Sequence, residues 1–166
     1  AERAKSEAFE PALRTAAIAV LSSPHFLYLR EPAGALDDYA LASRLSYFLT
    51  RTAPDAELLD LAQAGKLRGN LHGQTERLLK DDRFERFITD FTQSWLNLRE
   101  MDFTIPDRTL YPEYEPYLRF SMPRETEAFL RELIAGNHPA SAIVKTDFAM
   151  INDRMAEHYD IDGVDG

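Results

Sequence analysis

The sequence predicts an all-α fold of about six to seven helices in a single irregular bundle, interrupted by one long Pro/Tyr-rich loop. Three observations carry this. Apolar residues recur at spacings of three and four in one segment after another. Residues that cap helices stand just ahead of those segments. No long stretch alternates apolar with polar residues as a half-buried strand would, and no internal repeat is present. With 166 residues, 45% hydrophobic and 28% charged, the chain is long and apolar enough for one domain with a real core.

The first helix is expected from about residue 7 or 10 to 21, with Leu13, Ala16, Ala17, Val20 and Leu21 as its apolar stripe. Ser23 before Pro24 ends it, because the residue ahead of a proline is pushed out of the helical region. Residues 25–29 read as a short extended segment. Asp37 is an N-cap for a helix over Asp38–Thr50, with Leu41, Leu45, Phe48 and Leu49 inward. Asp55 and Glu57 suit the start of a third helix, with Leu58, Leu61 and Ala62 buried and Gly65 closing it. Asn70 caps a fourth, to about Lys80. A fifth, over 83–98, carries Phe84, Phe87, Ile88, Phe91, Trp95 and Leu98, an aromatic stripe read as core rather than as a cofactor box.

Residues 100–116 break the periodicity. Pro106, Pro112 and Pro116 stand among Tyr111, Tyr114 and Tyr117, so this is the long loop, and loops of this length are often functional. A sixth helix runs to about Ala135, where Pro123 marks a kink or, with Ser121 as cap, the true start. A short helical turn near 141–145 and an extended stretch over 147–151 precede a last helix, capped by Asn152, to about Tyr159.

The net charge is −9 and it is uneven. Residues 1–83 hold 11 basic and 12 acidic side chains, residues 84–166 hold 8 and 16. An acidic chain does not bind nucleic acid or anionic lipid through a general positive field. The longest apolar stretch, residues 16–21, is far short of the ~20 residues a membrane span needs, so no membrane insertion is expected. No apolar run follows the first five residues to make a leader there.

Cysteine is absent, which removes disulfides, thiolate metal sites and thioether attachment of haem within this chain. The histidines at 25, 72, 138 and 158 have neither His-Glu-x-x-His nor Glu-x-x-His spacing, so no metal site is expected. The tail places Asp160, Asp162 and Asp165 near one another, but Asp165 holds the loop position where an EF-hand requires glycine, leaving weak partial calcium binding as the most it offers. Arg44 lies two turns after Asp37 on one face of an otherwise apolar helix. It is read as a core-organising arginine or, alternatively, a ligand contact. Asp37, Arg44 and Trp95 are thus structural or ligand candidates, and Tyr111, Glu113 and Tyr114 are the loop candidates. No nucleophile elbow or phosphate loop occurs.

Several strings together carry a family resemblance. They include Ser22-Ser23-Pro24-His25-Phe26-Leu27-Tyr28, Leu36-Asp37-Asp38-Tyr39, Ser43-Arg44-Leu45-Ser46-Tyr47-Phe48-Leu49, Ser94-Trp95-Leu96, Leu110-Tyr111-Pro112-Glu113-Tyr114 and Asn152-x-x-Met155-Ala156-x-His158-Tyr159. The chain resembles the helical module of unknown function of planctomycete-type cytochrome c proteins, large exported chains of successive domains. Residues 1–31 resemble the end of a preceding module and 36–163 the main module. Asp160 departs from the glycine usual after His-Tyr, which raises the cost of a left-handed helix end there.

The resemblance implies a fragment of a larger periplasmic or otherwise exported protein, with haem in another module and no cofactor in this chain. It implies no catalytic residues. The leading reading is therefore a scaffold or interaction module without catalysis of its own, whose partners are other modules of the parent chain. A carboxylate enzyme acting on a polymer such as polysaccharide is the alternative, with Glu113, Glu115 and Glu125 as its acids. The acidic second half also suits a cationic protein partner.

Overall fold

The computed structural model describes residues 2–28, 31, 33–103 and 105–164. They form eight helices and no strand: α1 (Glu2–Leu21), α2 (Pro24–Leu27), α3 (Asp38–Thr50), α4 (Ala56–Gln63), α5 (Leu71–Leu79), α6 (Glu85–Trp95), α7 (Pro116–Ala135) and α8 (Asp153–His158). The all-α expectation holds.

Local chemistry sets most boundaries. Asp37, Asp55 and Asn152 each accept a hydrogen bond from the backbone N–H three residues on, at 2.7, 3.1 and 3.0 Å. Gly65, at φ +64°, closes α4 through bonds from its own N–H to Ala62 O and from Lys66 N–H to Leu61 O. Asp160 adopts the same left-handed conformation, φ +56°, with Ile161 N–H bonded to Ala156 O at 2.9 Å. The last helix therefore closes as a glycine would close it, and the aspartate bears the strain.

Three expectations fail. Residues 24–27 are helical rather than extended, because Ser23 caps with its side chain on His25 N–H and Pro24 sits at the first helical position; Leu29 lies outside the described residues. Asn70 makes no cap bond, its amide donating instead to Lys66 O at 2.8 Å within a tight turn. Ser121 does not start α7. It is buried, donates to Tyr117 O and accepts from Asn152, while Glu115 caps the helix and Pro116 begins it, so Pro123 is accommodated inside. The stretch over 147–151 lies in neither helix nor strand.

The core gathers Ala42 and Leu49 of α3, Leu58 and Ala62 of α4, Leu67, Leu78 of α5, Phe84, Phe87 and Ile88 around the start of α6, and Leu130 of α7. Each fully buried leucine here contributes about 1.5–3 kcal/mol. Polar groups in the interior are satisfied: Thr50 donates to Ser46 O, Thr92 to Ile88 O and Gln74 to Glu57. The carboxylate of Asp38 accepts from Leu67 N–H, 29 residues away, and pins the start of α3 to the end of the α4 turn.

Two apolar stripes are not covered as their spacing predicts. In α1 and α2 every described side chain from Phe9 to Leu21 is exposed, and Phe26, Leu27 and Tyr28 are more than half exposed. The aromatic stripe of α6 begins in the core and climbs out of it. Phe84, Phe87, Phe91 and Trp95 stack in sequence at 5.3, 5.3 and 5.5 Å between centroids, yet Trp95 is half exposed, as is Phe48 beside Phe87.

Candidate functional site

The Pro/Tyr-rich loop is built from turns rather than from irregular chain. Leu98–Asp102 is a short 3-10 helix. Asp107 then holds a turn, its carboxylate accepting from Thr109 N–H at 2.7 Å and its carbonyl from Leu110 and Tyr111 N–H. The same bond from Thr109 holds the Asp107 carboxyl below the usual aspartate range.

Arg154 of α8 clamps the end of the loop. Its side chain is largely buried, with Nε 3.0 Å from Glu115 Oε1 and Nη2 donating to Glu113 O at 2.7 Å. Glu115 also caps α7, accepting from Tyr117 and Leu118 N–H. Those backbone bonds first, with Arg154 adding to them, hold its carboxyl below the usual glutamate range. Tyr117 donates to Asp153 Oδ1 at 2.9 Å, a bond that raises the pKa of its phenol.

Around this framework lie three hollows. A cleft of about 540 Å³ is lined from α6 by Thr89 and Gln93, from the loop by Ile105, Arg108 and Tyr114, and from α7 by Phe120, Arg124 and Glu127, among others. A small hollow of about 150 Å³ brings together Tyr111, Glu113 and Tyr114 with Pro106, Leu118 and His158. A third, of about 390 Å³, lies against Glu125 between α7 and the segment ahead of α8.

The sequence-derived candidates fall as follows. Asp37 is a helix cap. Arg44 does not organise the core. Its side chain is mostly exposed and it grips Glu31 with both Nε and Nη2, tying the segment ahead of α3 to that helix. Trp95 ends the aromatic ladder at the surface. Tyr111, Glu113 and Tyr114 do come together, around the smallest hollow. Glu113, Glu115 and Glu125 are divided among three hollows, Glu115 sharing its cleft with Glu127. Glu125 accepts from Tyr159 OH at 2.9 Å, while burial raises the pKa of that phenol. Asp165 lies outside the described residues, and Asp160 closes α8. Among the described residues no group of three or more acidic or histidine side chains is placed to hold a metal ion.

Residues 36–161 match the family described as "PSD4: Protein of unknown function (DUF1592)". The chain belongs to that family. No curated protein and no solved structure matches it. The DUF1592 match begins one residue ahead of the Asp37 cap and ends at Ile161, whose N–H closes α8, so the match spans a unit that starts and stops on helix caps. Helices α1 and α2 lie ahead of it. No helix of the described residues is long and apolar enough to cross a membrane.

Arg108, Arg124 and Arg154 were not singled out by sequence. Arg154 reaches across 39 residues to Glu115, a separation that no local pattern announces. The only local signal is the Asp107 turn, which fixes the backbone that carries Arg108.

Proposed function

We propose that this chain is a helical scaffold or interaction module of an exported, cytochrome-c-linked multidomain protein, with haem carried by another module. The observation that carries this reading is the uncovered apolar stripe of α1 together with α2, where Phe9, Leu13, Val20, Leu21, Phe26, Leu27 and Tyr28 are each more than half exposed. Large apolar patches left in water mark contacts with other protein, and a helix with its apolar stripe uncovered offers one. The face lies outside the DUF1592 match, where the resemblance places the end of a preceding module. That module is the occupant the reading assigns to it. The haem and export parts rest on the family resemblance, and the absence of Cys accords with covalent haem lying elsewhere.

The test places Leu13→Glu with Val20→Glu in the parent protein and in this chain. The parent's Tm should fall by several degrees while that of this chain stays within about a degree. An unchanged parent would contradict the reading. Stoichiometric haem binding by this chain, seen as a Soret band, would contradict its placement of haem elsewhere.

A further inference from the structure

We propose that the cleft between α6, the loop over residues 105–115 and the first half of α7 binds a small ring-borne monoanion, a carboxylate or a sulfate ester, whose oxyanion is taken by Arg108 and Arg124.

The second half of the chain is strongly acidic, yet Arg108 and Arg124 line this one hollow, beside two glutamates and Arg119, which has interactions of its own. Both glutamates face other demands. Glu115 is held by two backbone N–H groups and Arg154, and Glu127 lies close enough to Arg131 to stabilise its charge. Several arginines elsewhere find carboxylates, Arg44 with Glu31, Arg51 with Asp90, Arg77 with Asp55 and Arg131 with Glu85, whereas Arg68 takes the carbonyl of Leu36. Among the described residues neither Arg108 nor Arg124 has such a partner.

The Arg108 backbone and the Arg124 guanidinium are nonetheless held in place. Arg108 follows Asp107 inside the turn that this residue caps. Arg124 stacks on the Phe120 ring, 3.2 Å from guanidinium carbon to centroid, and donates through Nη1 to Phe120 O at 3.1 Å. Stacking fixes the plane of the fork and leaves its other N–H groups for an acceptor, and planar forks match oxyanions. Ile105, Tyr114 and Pro123 supply apolar wall for a ring, and about 540 Å³ lies in the range of small-ligand sites. A long polyanion would meet the repulsion of a −9 protein, whereas a monoanion meets only the local field.

Calorimetric titration of the whole chain with galacturonate, galactose 6-sulfate and neutral galactose tests this. One or both anions should bind saturably at one site, and which of them binds identifies the oxyanion. R108Q and R124Q should each weaken that binding by about tenfold or more. R86Q, an equal charge change at an exposed α6 residue outside the lining, should leave it unchanged, and circular dichroism should show all three variants folded. The proposal is overturned if neither anion binds saturably, if R108Q and R124Q bind as well as the parent sequence, or if neutral galactose binds equally tightly.

Discussion

Helices α1 and α7 are each 20 residues long, and each carries an internal proline, Pro11 and Pro123. Their fates differ. From Phe9 onward α1 is exposed, and its main neighbour is the single turn of α2. By contrast α7 buries Leu118, Ser121, Leu130 and Leu133 and packs against both α6 and α8. A 3.6-residue period makes a helix amphipathic without supplying what covers it. Isolated helices are marginal in water, and most of their stability in proteins comes from packing of the apolar face. On this account α7 is held by its neighbours within the chain, while α1 is held by a surface outside it.

The largest expected effect separates the two directly. Leu118 is fully buried, so Leu118→Ala should lower the stability of the chain by about 2–4 kcal/mol in urea unfolding. Leu13→Ala on α1 should change it by less than about 0.5 kcal/mol. Equal losses would erase the distinction.

Next come the ion pairs that follow residue 36. Asp55 caps α4 and takes both Nη groups of Arg77, at 2.8 and 3.1 Å. The bond from Arg77 is the main reason its carboxyl sits below the ordinary value. Glu85, held by Arg131, and Glu115 are shifted the same way. A carboxyl with a depressed pKa in the folded state stabilises that state fully above its unfolded pKa, and the contribution is lost as pH falls through the folded value. Stability should therefore fall below pH ~4 and be flat from pH ~5 to ~9, above which the raised phenols of Tyr117 and Tyr159 lose their contribution. Asp55→Asn should cost about 1 kcal/mol at neutral pH and make the acid-side fall shallower, measured by urea titrations across pH.

How much of this was legible beforehand follows from which interactions are local. The Asp37, Asp55 and Asn152 caps involve residues three apart, so the sequence displays both partners. Ser23-Pro24 carried a helix-start signal as well, overridden by reading proline as a terminator. The exposure of Phe91, Trp95 and α1 was not legible, because spacing marks a face as apolar and says nothing of its cover. Arg44 looked core-facing from its apolar neighbours, yet Glu31, 13 residues earlier, draws it to the surface. Arg124 over Phe120 is an i, i+4 pair that could have been noticed; the approach of Arg108 to the same cleft depends on the whole loop.

Smaller effects sharpen the comparison at helix ends. Asp160 sits at φ +56° where the family resemblance expects glycine, so Asp160→Gly should stabilise the chain by about 0.5–1 kcal/mol in urea unfolding. Smallest is Pro11→Ala. It should raise the far-UV helical signal of α1 and leave the unfolding midpoint of the α3–α8 core where it was.

Hydrogen exchange on residues 9–28, in this chain and in the larger protein that the proposed function assigns it to (its parent), tests the central claim most directly. Alone, the backbone amides of α1 and α2 should exchange close to the unprotected rate, because little packing holds them closed. In the parent they should be protected by at least about a hundredfold, as a covered helix is. Equally fast exchange in both would contradict the claim that this apolar face is built to be covered.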